Sequence, residues 1–237
     1  MDTATDDGLR ERIDGLAERH QLEPRVADTL ESYVRLLDLD AGNLLPPTAP
    51  ELPEPNQRFT EEQLTYAIRM VGEALAALEL EPVRDAGLIA DIGTGAGFPG
   101  MVIAIALPET RVALVDSDAD KSGFLRAVSA HLGLDNVEVV ATPLQSWTEG
   151  VGACDVVTSR KVWRAETIFE HVAPLLAPGG VTIRFQKRRD AEKEAAAEAA
   201  AEAHGLKLET IHAATTETRQ GTLRTGKRNL VLYRKVG

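Results

Sequence analysis

The apolar positions of this chain follow two regimes. From residue 8 to about 80 they recur at helical spacing: Leu9, Ile13 and Leu16, then Val26, Leu30, Val34 and Leu37 after Pro24, then Leu64, Ile68, Val71 and Leu75. Such spacing gathers each set on one helix face, predicting two helices over 8–40 and a third from 60 to about 80. Thr60 with Gln63 three residues on is a capping box, in which each side chain serves the other's backbone N–H. Pro46, Pro47, Pro50, Pro53 and Pro55 make 46–55 an extended linker, because proline lacks the N–H and fixes φ.

From Gly87 onward short apolar runs alternate with longer helical stretches. Strands are expected at 88–92, 111–116, 137–141, 155–158, 180–186, 207–213 and 229–235, and helices at 99–107, 121–132, 165–176 and 190–204. That alternation predicts an α/β fold, a mostly parallel sheet covered on both faces. Pro178-Gly179-Gly180 is a turn into the fifth strand, and the Ala/Glu-rich 191–203 is a surface helix. The chain divides into an N-terminal acidic helical extension, 1–81, and a sheet domain, 82–237.

The first strand runs into Asp91-Ile-Gly-Thr-Gly-Ala-Gly-Phe-Pro-Gly100. Without side chains at Gly93, Gly95 and Gly97, the backbone can turn sharply and touch a ligand. Dinucleotide loops read G-x-G-x-x-G, whereas here the sixth position is Phe98. Asp-x-Gly-x-Gly-x-Gly resembles the first motif of class I methyltransferases, which bind S-adenosylmethionine; Thr94 and Phe98 are part of that loop. A carboxylate at Asp91 would attract a sulfonium and an amino group but repel a pyrophosphate, which favours the methyl donor over NAD. Asp116, at the carboxyl end of the second strand, can accept both ribose hydroxyls of an adenosine, with Ser117 beside it. NAD sites use an acid there too, and a helix cap is the bland alternative. Leu144 and Gln145, after the third strand, stand where backbone groups could read an adenine edge, or form an ordinary loop.

A length of 237 residues suits one α/β domain plus an extension. No apolar run nears the ~20 residues of a membrane span, and the acidic start is unlike a secretory signal. The single Cys154 excludes an internal disulfide and a cysteine metal cage, and the five histidines lack ligand spacing, so no metal is expected. A cytoplasmic monomer is the expectation. The net charge of -11 argues at first against a nucleic-acid partner. Its distribution reverses that: residues 1–81 carry 18 acids against 7 Lys or Arg, the whole excess, while from Thr158 onward 15 basic residues face 9 acids. Asymmetry of this kind suits a polyanion-facing surface as well as solvated helix faces.

Methyl transfer from a sulfonium needs an acceptor lone pair brought close and aimed. Carbon-5 pyrimidine chemistry needs a thiolate, yet Cys154 stands at the start of an apolar strand. The Asp/Asn-Pro-Pro-Tyr/Phe of amine methylation is replaced by Thr158-Ser159-Arg160-Lys161. An acceptor such as guanine N7 has a free lone pair and needs only binding and aim. Arg160, closing the fourth strand, and Arg228, entering the last, are cations suited to phosphates and base edges; surface ion pairs are the alternative.

The glycine loop with its Phe98-Pro99-Gly100 extension, Val-Asp116-Ser117 with Lys121 and Phe124-Leu125, Val-Val-Thr-Ser-Arg160, and Gly-Lys-Arg228-Asn-Leu-Val together resemble the ribosomal RNA small subunit methyltransferase G family, also called glucose-inhibited division protein B. The resemblance covers roughly residues 87–237. It implies a Rossmann-like class I methyltransferase sheet of about seven strands, mostly parallel with the last antiparallel, S-adenosylmethionine as cofactor, and methylation of N7 of a guanine in 16S rRNA, on the rRNA or the 30S subunit. It places Arg160 and Arg228 in the active site, Arg160 also against the cofactor. Lys121, Lys161, Arg184, Lys187, Arg188, Arg189, Arg219, Arg224 and Lys227 would add phosphate contacts. The family's amino-terminal Trp-Asn-x-x-x-Asn-Leu-Thr and its His…Asp-Ser element are missing, only Asn43-Leu44 being kept, and its Lys-Gly after the fifth strand appears as Gln186-Lys187. Other readings are a methyltransferase of another RNA or a small molecule, a non-catalytic cofactor- or RNA-binding protein, and, last, an NAD oxidoreductase.

Overall fold

A computed structural model describes residues 6–37, 59–162, 164–186, 191–217 and 223–237. The proline linker with Asn43-Leu44, and the cations Lys187, Arg188, Arg189 and Arg219, lie outside the described residues. In chain order the helices are α1 (Asp6–Arg19), α2 (Pro24–Arg35), α3 (Glu61–Leu75), α4 (Glu81–Arg84), α5 (Gly100–Ala106), α6 (Ala119–Leu132), α7 (Ala165–Val172) and α8 (Ala191–Ala203). The strands are β1 (Leu88–Ile92), β2 (Arg111–Val115), β3 (Val137–Val140), β4 (Cys154–Ser159), β5 (Leu176–Gln186), β6 (Leu206–Glu217) and β7 (Leu223–Lys235).

They form one sheet in the order β3-β2-β1-β4-β5-β7-β6. The first five strands pair in parallel and β7 runs antiparallel to both neighbours, as expected. Side chains alternate across the pleat. Ile89, Val112, Leu114, Val156, Ile183 and Leu230 join one core with α5, α6 and the N-terminal helices. Ala90, Ile92, Val115, Val157, Val231 and Tyr233 join the other, with α7 and α8.

Helices α5 and α6 cross over the β1–β3 half of the first face, and α1–α3 add to the cover on that face. Helix α3 packs on α5 and β6, and α2 on α5 and α6. Leu9, Leu30, Ile68 and Leu75 therefore share a continuous core with Ile183 and Leu232. The Thr60 capping box forms on both sides: Gln63 N–H donates to Thr60 Oγ1 at 3.3 Å and Thr60 N–H donates to Gln63 Oε1 at 2.8 Å. Helix α8 buries only Ala197 and Ala201.

Boundaries shift by a few residues in several places: α7 ends at Val172 rather than 176, passing into a 3-10 turn, Ala173–Leu175. The helical segment after α3 tightens to a 3-10 turn, Ala76–Glu79. The Pro178-Gly179-Gly180 turn falls inside β5 as an irregularity: Leu176 pairs with Cys154 and pairing resumes at Val181 opposite Val156. Gly179 takes φ +75, and a Cβ on Gly180 would lie 2.9 Å from the Cys154 carbonyl oxygen. Strands β6 and β7 are longer than their apolar runs, pairing on through Thr215↔Thr225 to Glu217↔Leu223. That arm has little alternation to betray it.

Candidate cofactor loop and arginine cleft

The glycine loop leaves the carboxyl end of β1 and is tied to β2, the N–H groups of Gly93 and Thr94 donating to the Val115 carbonyl at 2.8 and 3.3 Å. Gly93, Gly95 and Gly97 have φ of +64, +62 and +102, which residues with a Cβ adopt only under strain. At Gly97 a Cβ would also lie 2.8 Å from Tyr33 Oη and 2.9 Å from Met101 Cβ.

Asp91 is fully buried. Its Oδ2 accepts from Thr94 Oγ1 at 2.6 Å and Gly100 N at 2.9 Å, and its Oδ1 from Thr158 Oγ1 at 2.8 Å. Burial pushes this carboxyl up to about 6, against the pull of those three donors. The pleat turns Asp91, expected to attract a sulfonium, toward α5, where its carboxylate clamps the two ends of the loop. Thr94 spends its hydroxyl on that clamp. The Phe98 side chain is buried as well. It backs the loop from the core, its ring 5.3 Å from that of Tyr33. Tyr33, on α2, donates its hydroxyl to the Ala96 carbonyl at 2.6 Å, so the N-terminal extension supports the loop. Burial, with Asp91 nearby, holds the Tyr33 phenol well above its ordinary range, keeping it a donor. The outward part of the loop is the half-exposed backbone of Gly93 and Gly95.

Asp116 is half-buried. Its Oδ2 accepts from Gly95 N and its Oδ1 from Asp118 N, each at 3.0 Å. The cap of α6 is Asp118, which accepts from the N–H groups of Asp120 and Lys121, so Asp116 is not that helix cap. Ser117 is exposed, and Lys121 pairs with Asp118 at 3.4 Å. Leu144 and Gln145 lie in a 3-10 turn shortly after β3, Leu144 packed on the second core and Gln145 exposed. The loop, Asp116 and this turn thus follow the ends of three adjacent strands, β1, β2 and β3.

On the other side of the loop, Ile92 of β1 is level with Ser159 of β4, so Gly93 and Arg160 leave neighbouring strands together. Val162 covers Gly93, its Cγ2 standing 2.6 Å from where a Cβ would be. Arg160 follows the pleat to the α3 face, where its Nη2 contacts Met70 Sδ at 2.7 Å and Glu73 Oε2 at 3.4 Å. Arg228 of β7 brings Nε to 2.7 Å from Glu73 Oε1, and Arg69, over the Tyr66 ring, lies 3.7 Å from the same oxygen. Burial holds the Arg228 guanidinium below its ordinary value, with Glu73 opposing and Arg69 and Arg160 adding to the effect.

A small cleft of about 20 Å³ opens there, lined by Glu73, Arg160, Lys161, Phe185, Gln186, Ala214, Arg228, Asn229 and Leu230. Lys161 is exposed. Arg184 is not brought to this face; it lies over the Phe169 ring of α7. Arg224 and Lys227 fall on β7. Glu73 escaped the sequence analysis. The available signal was an acid on α3 whose i−3 and i+4 neighbours, Met70 and Ala77, are apolar.

A parallel sheet reversed at its last strand, with a glycine loop after β1 and an acid after β2, is a class I methyltransferase fold. Solved structures share it: the mitomycin 7-O-methyltransferase MmcR (TM-score 0.57, 17% identity, covering 74% of this chain and 56% of that one) and TYW2 of M. jannaschii in complex with AdoMet (0.51, 14%, 65% and 73%). The family model for rRNA small subunit methyltransferase G matches residues 59–222, and the chain belongs to that family. The match begins at α3, ahead of the 87–237 stretch that carries the resemblance. Proteins named ribosomal RNA small subunit methyltransferase G are 32% identical in Rubrobacter xylanophilus (64% of this chain, 59% of that protein) and 35% in Stenotrophomonas maltophilia strain K279a (70% and 80%). The one from Sorangium cellulosum is 40% identical over 49% of each chain. The chain spans about half to three fifths of the length of the first curated relatives it matches. No described helix is long and apolar enough to cross a membrane, and no metal-binding cluster occurs among the described residues.

Proposed function

We propose that the protein transfers a methyl group from S-adenosylmethionine to N7 of a guanine in 16S rRNA, acting in the cytoplasm on the rRNA or the 30S subunit. The observation that carries this reading is the adjacency of the two features: Gly93 and Arg160 leave paired strands at the same level, so a donor on the loop and an acceptor on the arginines would be neighbours. S-adenosylmethionine brings an already activated methyl group, so the protein has to bind, aim and exclude water.

The residues fit that donor. The backbone of Gly95 offers a surface free of side chains, while the Val162 side chain covers Gly93, and each Asp116 oxygen accepts only one N–H, leaving lone pairs for a ribose diol. Leu144 and Gln145 would meet the adenine. Arg160 and Arg228 would hold guanine O6 and flanking phosphates, with Lys161 at the rim. No general base is required, because N7 carries no proton.

The test is incubation with labelled methyl donor and undermethylated 30S subunits, naked 16S rRNA or small metabolites, followed by borohydride and aniline cleavage, which reports 7-methylguanine. Label confined to a small molecule, or RNA label that resists cleavage, would refute the assignment.

A further inference from the structure

Glu73 lies on the α3 face that meets the sheet, its side chain only 4% exposed. A carboxylate so placed must be paired, because burial removes the water that would otherwise solvate it. Its partners come from both directions. Oε2 faces Arg160 beyond the end of β4, and Oε1 faces Arg228 on β7. These strands are separated by β5, about 10 Å apart at ordinary strand spacing. One carboxylate therefore bridges two non-adjacent strands and fixes where both guanidinium groups stand. Arg69, four residues earlier on α3, adds a third cation at 3.7 Å.

The cluster is unequal in charge: three guanidinium groups converge on one carboxylate. Glu73 Oε1 has no aligned hydrogen-bond donor despite its close cations. Arg228 and Arg69 are thus held at Oε1 by charge attraction, Arg160 donates to Oε2 at 3.4 Å, and the net positive charge is left to face the cleft. We infer that Glu73 is a positioning residue that orients Arg160 and Arg228 toward an anionic, phosphate-bearing acceptor. This rests on the reading of those arginines as acceptor-side groups.

Glu73→Gln keeps the shape and removes the charge. With the two arginines released, kcat at saturating RNA is expected to fall tenfold or more. RNA affinity should not weaken, since the cleft gains one net positive charge, and the salt slope of binding should steepen by up to about 1. S-adenosylmethionine affinity should stay within twofold, because Glu73 does not touch the loop. Glu73→Asp retains the charge on a shorter arm and should give a kcat between the two, with wild-type salt dependence; it also serves if the Gln variant fails to fold. Arginine Nε–H signals in NMR should be restricted in the wild type and averaged in Glu73→Gln. Unchanged kcat in both variants, or unchanged arginine mobility, would overturn the inference. A wild type inactive on every RNA would instead sink the proposed function, while the NMR comparison would still decide whether Glu73 holds the arginines.

Discussion

The glycine loop and the arginine cleft leave the sheet side by side, yet they are held in opposite ways. The loop is a contiguous stretch, 91–100, shaped by backbone geometry and fixed by the buried hydrogen bonds that Asp91 accepts from Thr94, Gly100 and Thr158. The cleft is built from long side chains on α3, β4 and β7 that meet at Glu73. Steric fit governs the first and charge balance the second. They should therefore fail separately: a change in the loop should cost stability and cofactor together, whereas one in the cleft should cost turnover and leave the cofactor site alone.

Gly97→Ala is the harshest test of the loop. The new Cβ would meet Tyr33 Oη and Met101 Cβ below 3.0 Å at a φ of +102. Backbone strain and overpacking each cost about 1–3 kcal/mol, so a loss of about 4 kcal/mol in denaturant unfolding is expected. Calorimetry should show no S-adenosylmethionine binding. Retained binding would mean that the loop is softer than its contacts imply.

Asp91 gives the loop a pH signature. Its carboxyl titrates near 6 in the fold against an ordinary 3.8, so between those values the native state binds more protons than the unfolded chain. Its contribution to stability is complete below about pH 4 and is lost as the pH rises through about 6. The difference is about 3 kcal/mol at most. Asp91→Asn should flatten that part of the stability profile when unfolding is compared at pH 4, 5, 6 and 7. Parallel wild-type and variant profiles would show that Asp91 ionises at its ordinary value.

Arg160→Ala tests the cleft. Methyl transfer to RNA should fall about 100-fold, the scale of losing one preorganised charged contact. Cofactor affinity should stay within twofold. Stability should change little, because Glu73 keeps Arg228 and Arg69 within 3.7 Å. A loss of cofactor binding equal to the loss of turnover would erase the distinction between the two regions.

The same contrast explains what the sequence made legible. Glycine spacing in 91–100 needs no distant partner, so the loop, its strand and the following helix could be recognised locally, whereas the reversed last strand came only with the family resemblance. The clamp that Asp91 forms was not legible, because sequence shows a charge but not the pleat that turns it inward. Tyr33 and Glu73 were invisible for a related reason: each acts across 63 or more positions, on Ala96, Arg160 and Arg228. Arg184 shows the converse. Its charge looked useful for RNA, but alternation along β5 put it on the α7 face.

The smallest effect comes from the start of α3. Thr60→Ala removes the hydroxyl that accepts from Gln63 N and should cost about 1 kcal/mol, a melting decrease of about 2–4 °C for a chain of this size. Glu73 lies 13 residues further along, about 20 Å of helix. If its position is set by the arginines it pairs with and by the packing of α3 on the sheet, then fraying at Thr60 should leave RNA turnover and cofactor affinity unchanged. A fall in kcat of more than twofold at a temperature where the variant is fully folded would show that the cleft depends on the whole length of α3. Glu73 would then be passing on the helix's placement rather than fixing the arginines by itself.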